Sequence, residues 1–271
     1  KPLPDSKGVT ASEAQQFRVQ MDLIDFKFSP SKLAARGVQH KNIIILIDVM
    51  SRFVWGAPVI SKFPEDIAPV LRRILNGMEK LPTFISTDRG GEFTKEVADL
   101  LESKNIVHRT KADTSDLNAL SVIDRAIQTI KKRLAESLAD TKGEWAQRVT
   151  EVIKQYNSTV HPAIHGEPED FGREGHEVAK FITQAENADK LQFNQQLLEK
   201  RRAKLTEEGG FRVPIGGPKS FHRGFKQAYS SDVKQIQKIE GSIVHATDGT
   251  KTDVKRAMPV HHASGYAEAG F

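Results

Sequence analysis

The chain has 271 residues, 38% apolar and 28% charged, which allows one sizeable core and a small second module and is ordinary for a soluble protein. No apolar run approaches the roughly 20 residues needed to cross a bilayer, no charged-then-apolar stretch opens the chain, and the absence of cysteine excludes disulfides and cysteine-ligated zinc. The net charge of +5 is unevenly spread: residues 200–262 carry 13 Lys/Arg against 6 Asp/Glu, a local +7 that leaves −2 for the rest. That basic end reads equally well as a module facing a polyanion or as a soluble basic domain. Because the chain opens on Lys1, a cleaved or excised piece of a longer product is expected.

Residues 1–16 are polar, hold two prolines and no periodicity, and read as an arm. Phe17, Val19, Met21 and Leu23 then alternate with Arg18, Gln20 and Asp22, the period-two signature of a strand with one apolar face, which turns Asp22 away from that face beside Gln20. The β-branched run at 42–48 and the segment 52–60 complete an antiparallel meander. Ile67, Val70, Leu71, Ile74, Leu75 and Met78 repeat at helical spacing after Pro64, with Pro69 expected to delay the start of that helix. Strands at 83–87 and 106–109 flank a helix at 94–104. A polar loop follows at 110–119, and then come two amphipathic helices, one striped by Val122, Ile123, Ala126, Ile127, Ile130, Leu134 and Leu138, the other by Trp145, Val149, Val152, Ile153 and Tyr156. Residues 171–208 have a helical pattern whose clearest apolar face is Val178, Phe181, Ile182 and Ala185. Short strands with turn signals, among them Asp248-Gly249, follow Gly209-Gly210 and suggest a small β-barrel ending near Val260.

Three aspartates hold the chemistry. Asp22 lies in a strand, Asp88 heads the phrase Asp-Arg-Gly-Gly-Glu-Phe, and Asp124 lies on a helix with 35 residues between it and Asp88. In a β-β-β-α-β-α-β order the first and fourth strands are neighbours and the next helix crosses near their polar ends, so the three carboxylates converge as ligands for hard cations. Two such ions about 3.5–4 Å apart assist in-line phosphoryl displacement. A lone strand aspartate would more simply be a hydrogen-bonded structural residue.

The phrases Val19-Gln20-Met21-Asp22-Leu23-Ile24-Asp25, Ile47-Asp48-Val49-Met50-Ser51-Arg52-Phe53-Val54-Trp55, Ser86-Thr87-Asp88-Arg89-Gly90-Gly91-Glu92-Phe93 and Tyr156-Asn157-Ser158-Thr159-Val160-His161-Pro162 resemble the core of retroviral and retrotransposon integrases. The resemblance runs over residues 17–171. It implies an α/β, ribonuclease H-like five-stranded mixed sheet flanked by helices (17–172), preceded by the arm (1–16) and followed by a helical linker (173–209), a small SH3-like DNA-binding β-barrel (210–260) and a tail (261–271). It also implies an acidic triad binding two Mg2+ or Mn2+ ions per active site, matched here by Asp22, Asp88 and Asp124. Asp25 rivals Asp22 but falls on the apolar side of the strand, Asp48 reads as a turn cap, and Glu92 as a local hydrogen-bond partner. Asp124 departs from the usual glutamate by one methylene.

Asp124, Gln128 and Lys131 share a helix face flanked by Arg125 and Lys132. In the resembling integrases this helix contacts the end of the element's DNA, which makes Gln128, Lys131, Arg125 and Lys132, with Lys111 in the preceding loop, DNA-binding candidates; a solvated helix face is the plainer alternative, above all for Lys132 and Arg133. The implied activity is metal-dependent 3′-end processing and strand transfer of element DNA into target DNA by a homodimer or homotetramer. The implied setting is the nucleus, on chromosomal DNA, reached by way of a cytoplasmic particle, with no secretion and no membrane. The alternative is a catalytically inactive descendant that binds nucleic acid or supports assembly. A ribonuclease H or resolvase fits poorly with the Tyr156 to His161 phrase and the appended barrel.

Overall fold

The computed structural model describes residues 11–26, 31–32, 39–110, 120–139, 144–215 and 229–261. Five strands, β1 (Arg18–Asp25), β2 (Asn42–Asp48), β3 (Val54–Val59), β4 (Phe84–Thr87) and β5 (Val107–Thr110), form one mixed sheet in the order β3-β2-β1-β4-β5. The expected meander is present: β1 runs antiparallel to β2, with Asp22 opposite Ile45, and β2 antiparallel to β3. The pairs β1·β4 and β4·β5 are parallel, as their helical crossovers require. A two-residue ribbon joins 31–32 to 39–40.

Both faces of this sheet are covered, so the expectation of a single apolar face on β1 is corrected. In β2, Ile43, Ile45 and Ile47 pack with Ile24 under α3 (Ser121–Ala139) and α4 (Trp145–Asn157), while Ile44 and Leu46 pack with Val19 and Met21 under α1 (Pro64–Asn76) and α2 (Glu96–Ser103). All seven residues of β2 are buried, and each fully buried isoleucine contributes about 1.5–3 kcal/mol. Helix α1 starts at Pro64 despite Pro69, because Pro69 and Glu65, whose carbonyl loses its partner, both face solvent. Gly56 lets α4 close on β3: a Cβ there would lie 2.7 Å from the Ile44 carbonyl oxygen and 2.8 Å from Ile153 Cδ1.

The end of α4 is clamped to that edge strand by Asn157, whose amide mimics a neighbouring strand. Its Oδ1 accepts from Val54 N–H at 2.9 Å, and its Nδ2 donates to the Val54 carbonyl at 2.9 Å. Asn157→Ala leaves both strand groups without that partner in a buried setting, and is expected to lower unfolding free energy by about 2–3 kcal/mol, measured by urea titration. Residues 11–16, expected as part of a free arm, are also tied down: Ala11 and Ser12 are buried, Ser12 N–H donates to Asn187 Oδ1 at 3.3 Å, and Gln16 N–H donates to Asp48 Oδ1 at 3.0 Å.

Helix α5 (Glu177–Glu208) faces inward through polar residues rather than the anticipated apolar stripe. Thr183 Oγ1 donates to the Ile164 carbonyl at 3.1 Å and Asn187 Nδ2 to the Thr183 carbonyl at 2.8 Å, whereas Val178, Phe181 and Ile182 are exposed. The chain divides into two compact units inside this helix, between Leu191 and Gln192. The second contains five antiparallel strands, β6 (Gly209–Arg212), β7 (Lys234–Glu240), β8 (Ile243–Ala246), β9 (Lys251–Asp253) and β10 (Met258–His261), in the order β9-β8-β7-β6-β10. They curl around Leu205, Phe211, Val244, Ala246, Val254 and Ala257 as an SH3-like unit. The Asp248-Gly249 hairpin forms as its sequence requires, with Gly249 at φ +84° and Thr250 N–H donating to Asp248 Oδ1 at 2.9 Å. No described helix is long and apolar enough to cross a membrane.

Candidate active site

Asp22 on β1 and Asp88, one residue past the end of β4, each lie two residues beyond the Gln20–Ser86 pair of the parallel ladder. The third aspartate is brought in by a bond that crosses the sheet. Gln20, fully buried, accepts the Ile123 N–H on its Oε1 at 2.9 Å, so the first turn of α3, which carries Asp124, is tied to the strand that carries Asp22. Sequence reading placed Gln20 beside Asp22 without assigning it a task. Its parity with Asp22 was the available signal.

The carboxyl of Asp22 is pushed up to about 6, first by burial and then by the negative charges of Asp88, Asp124 and Glu92, against the opposing Leu23 N–H donated at 2.7 Å. These acids therefore share an electrostatic neighbourhood, though among the described residues no three His, Asp or Glu side chains form a group that could hold a metal ion. The carboxylates are turned partly to backbone donors, Asp88 Oδ1 accepting Gly90 N–H at 3.0 Å. Glu92 folds over Gly90, where an added Cβ would fall 2.3 Å from Glu92 Oε2, and buried Phe93 anchors the far end of that phrase.

The rival acids have other tasks. Asp25 pairs with Lys62 at 3.0 Å, a lysine held above its ordinary pKa first by that bond and, after an opposing effect of burial, by the charges of Asp25, Glu92 and Asp22. Sequence reading missed Lys62. Asp48 accepts Ser51 N–H and Oγ–H at 2.8 and 2.6 Å, the turn cap it was expected to be. On α3, Asp124, Gln128 and Lys131 are all exposed; Lys132 is exposed and reaches Glu136 at 3.8 Å, while Arg125 turns to a neighbouring cavity. Lys111 lies outside the described residues.

The fold is a ribonuclease H-like core followed by an SH3-like unit. A chain of the simian T-cell lymphotropic virus intasome, solved in complex with PP2A regulatory subunit B56 gamma, matches 94% of this chain and 83% of its own length at TM-score 0.62 and 11% identity. The catalytic core of HTLV-2 integrase, solved with magnesium in a trimeric form, matches 57% of this chain and 95% of its own at TM-score 0.44 and 19% identity. In sequence, an uncharacterized transposon-derived protein of Caenorhabditis elegans is 26% identical over 135 residues, 48% of this chain and 46% of that protein, so the chain spans less than half the length of this curated relative. No family model matches.

Proposed function

We propose that this chain is a DNA integrase, a polynucleotidyl transferase acting on the ends of a mobile element and on target DNA. The observation that carries the reading is the meeting of Asp22 on β1 with Asp88 just past β4 and Asp124 on α3 in a ribonuclease H-like core, near enough that their charges, with that of Glu92, act on the Asp22 carboxyl. An oxygen-only donor set in which Asp88, Asp124 and Glu92 raise the proton affinity of Asp22 suits divalent cations, Mg2+ or Mn2+, and Asp22, Asp88 and Asp124 would hold two of them. Such ions, when bound, activate the attacking oxygen and stabilise the leaving one.

In 3′-end processing the oxygen of water bonds to phosphorus as the P–O3′ bond breaks in line; in strand transfer the freed 3′-hydroxyl does the same to a target phosphodiester. Each attacking oxygen loses a proton and each leaving 3′ oxygen gains one. Gln128, Lys131, Arg125, Lys132 and Lys111 are the proposed contacts to element DNA, and the basic SH3-like unit adds salt-sensitive phosphate-backbone contact. Joining two ends calls for a homodimer or homotetramer, acting on chromosomal DNA in the nucleus.

Magnesium-dependent joining of an end-bearing duplex to plasmid is expected from the unaltered chain and not from Asp88→Asn; joining by that variant removes the assignment. A second reading, an inactive DNA-binding descendant, is favoured by the short side chain of Asp124 and by the absence of a three-acid metal group among the described residues. Asp124→Glu decides between them. Joining by the native chain, with a change of no more than about tenfold in the variant, supports the enzyme, whereas joining by neither with DNA binding intact supports the descendant.

A further inference from the structure

The flank of α3 next to the Asp124 face borders an open cavity of about 410 Å3, lined also by the turn after β2 and the segment after α4. That volume falls in the range of small-ligand sites. Its wall carries Arg52, Arg125 and Arg133 together with Tyr156, Thr159 and His161, and among the described residues it includes no carboxylate. Three guanidinium groups around one concavity give it a positive potential that attracts an anion.

Arg52 is the central observation. It is 8% exposed, its Nη1 is shielded from solvent with no hydrogen-bond partner among the described residues, and its backbone sits at φ +62°, a left-handed position that a non-glycine residue enters at some cost. Asp48, the carboxylate whose charge acts on it, is already engaged by Ser51 and Gln16. Burying an unpaired guanidinium nitrogen forfeits its hydration unless an acceptor arrives.

The neighbours are prepared for the same visitor. Arg133 is steadied by Thr159, to which its Nη2 donates at 3.2 Å, and its guanidinium stands 5.8 Å over the Tyr156 ring. His161 accepts Ala163 N–H on Nδ1 at 3.2 Å, which leaves Nε2 as the protonated, donating nitrogen of the neutral ring. Burial and the charges of Arg52 and Arg125 hold that ring below its ordinary pKa, so the cavity is positive without it.

We infer that this cavity is a phosphate-binding site, with Arg52, Arg125 and Arg133 receiving the anion and His161 Nε2–H adding a neutral donor. Arginine forks match the oxygen geometry of phosphate, which a chloride ion cannot reproduce. The phosphate comes either from a DNA strand lying across α3 or from a free phosphate or phosphomonoester. The site shares Arg125 with the proposed contacts to element DNA but does not depend on the acidic triad.

The test is nuclear magnetic resonance of the full chain titrated with inorganic phosphate at constant ionic strength. Saturable shifts of the His161 Cε1–H and arginine Nε–H resonances are expected in phosphate and not in chloride. Arg125→Gln, at an exposed position, should weaken the apparent affinity about tenfold; Arg52→Gln should abolish the shifts, with its backbone spectrum reporting that the fold survives. A short duplex that displaces phosphate assigns the site to DNA, whereas unchanged phosphate binding in the presence of duplex assigns it to the free anion. Absence of saturable shifts with phosphate and duplex alike, or undiminished binding in Arg125→Gln, overturns the proposal. Asp88→Asn should bind phosphate as the native chain does, so failure of the anion site and failure of the integrase reading are distinguishable.

Discussion

Asp22→Asn should abolish magnesium-dependent strand transfer and, at pH 7 without added metal, raise the melting temperature. The two effects have one cause. A carboxyl held at about 6 instead of 3.8 is a group whose charged form the native state disfavours, chiefly through burial and then through Asp88, Asp124 and Glu92. A rise of that size is worth about 3 kcal/mol at full burial, discounted to about 2 kcal/mol because Asp22 is only partly buried.

The native state binds the Asp22 proton more tightly than the unfolded chain does, so stability falls as pH rises from about 3.8 to about 6 and stays reduced above that range. The native protein and Asp22→Asn should therefore melt together near pH 3.5 and diverge by several degrees by pH 7. Magnesium should narrow the gap by stabilising only the native protein. Thermal melts at several pH values, with and without Mg2+, check this beside the joining assay. A variant that still joins strands, or that melts lower than the native chain at pH 7, removes Asp22 from the site.

Much of this was legible because hydrophobic periodicity is local. The alternation through Met21 and the run at Ile43 to Ile47 named two strands of the sheet, but the parity that set Asp25 on the apolar side did not foresee its exposure and its pairing with Lys62, while Asp22 is partly buried. The bonds that assemble the site are not local: Gln20 with Ile123, and Asn157 with Val54, each span 103 residues, and no pattern within either segment announces its partner. The burial of α5 was misread for a related reason. Its inward face is secured by the hydrogen bonds of Thr183 and Asn187, which hydropathy scores as outward. The arginine cavity joins residues of three phrases, of which sequence could name the phrases and not their meeting.

Gln20 carries the second large prediction, because it supplies what α3 lacks. The Ile123 N–H lies in the first turn of that helix, where no earlier helical carbonyl is available, and Leu120, immediately before the helix, has no side-chain acceptor. A buried glutamine on the neighbouring strand takes the donor instead, and thereby sets where Asp124 stands relative to Asp22. Gln20→Met keeps the volume and removes the acceptor. It should cost about 1–3 kcal/mol through the unsatisfied N–H, and should speed hydrogen exchange of the amides of residues 121–124. A displacement of about 1 Å at one member of a catalytic set is enough for a roughly hundredfold loss, so kcat for strand transfer should fall by about that factor with KM for DNA little changed. Gln20→Glu keeps an acceptor and should recover much of the helix protection at low pH. If Gln20→Met loses stability yet joins strands at the native rate per folded molecule, Gln20 supports the sheet alone and Asp124 is positioned by other contacts of α3.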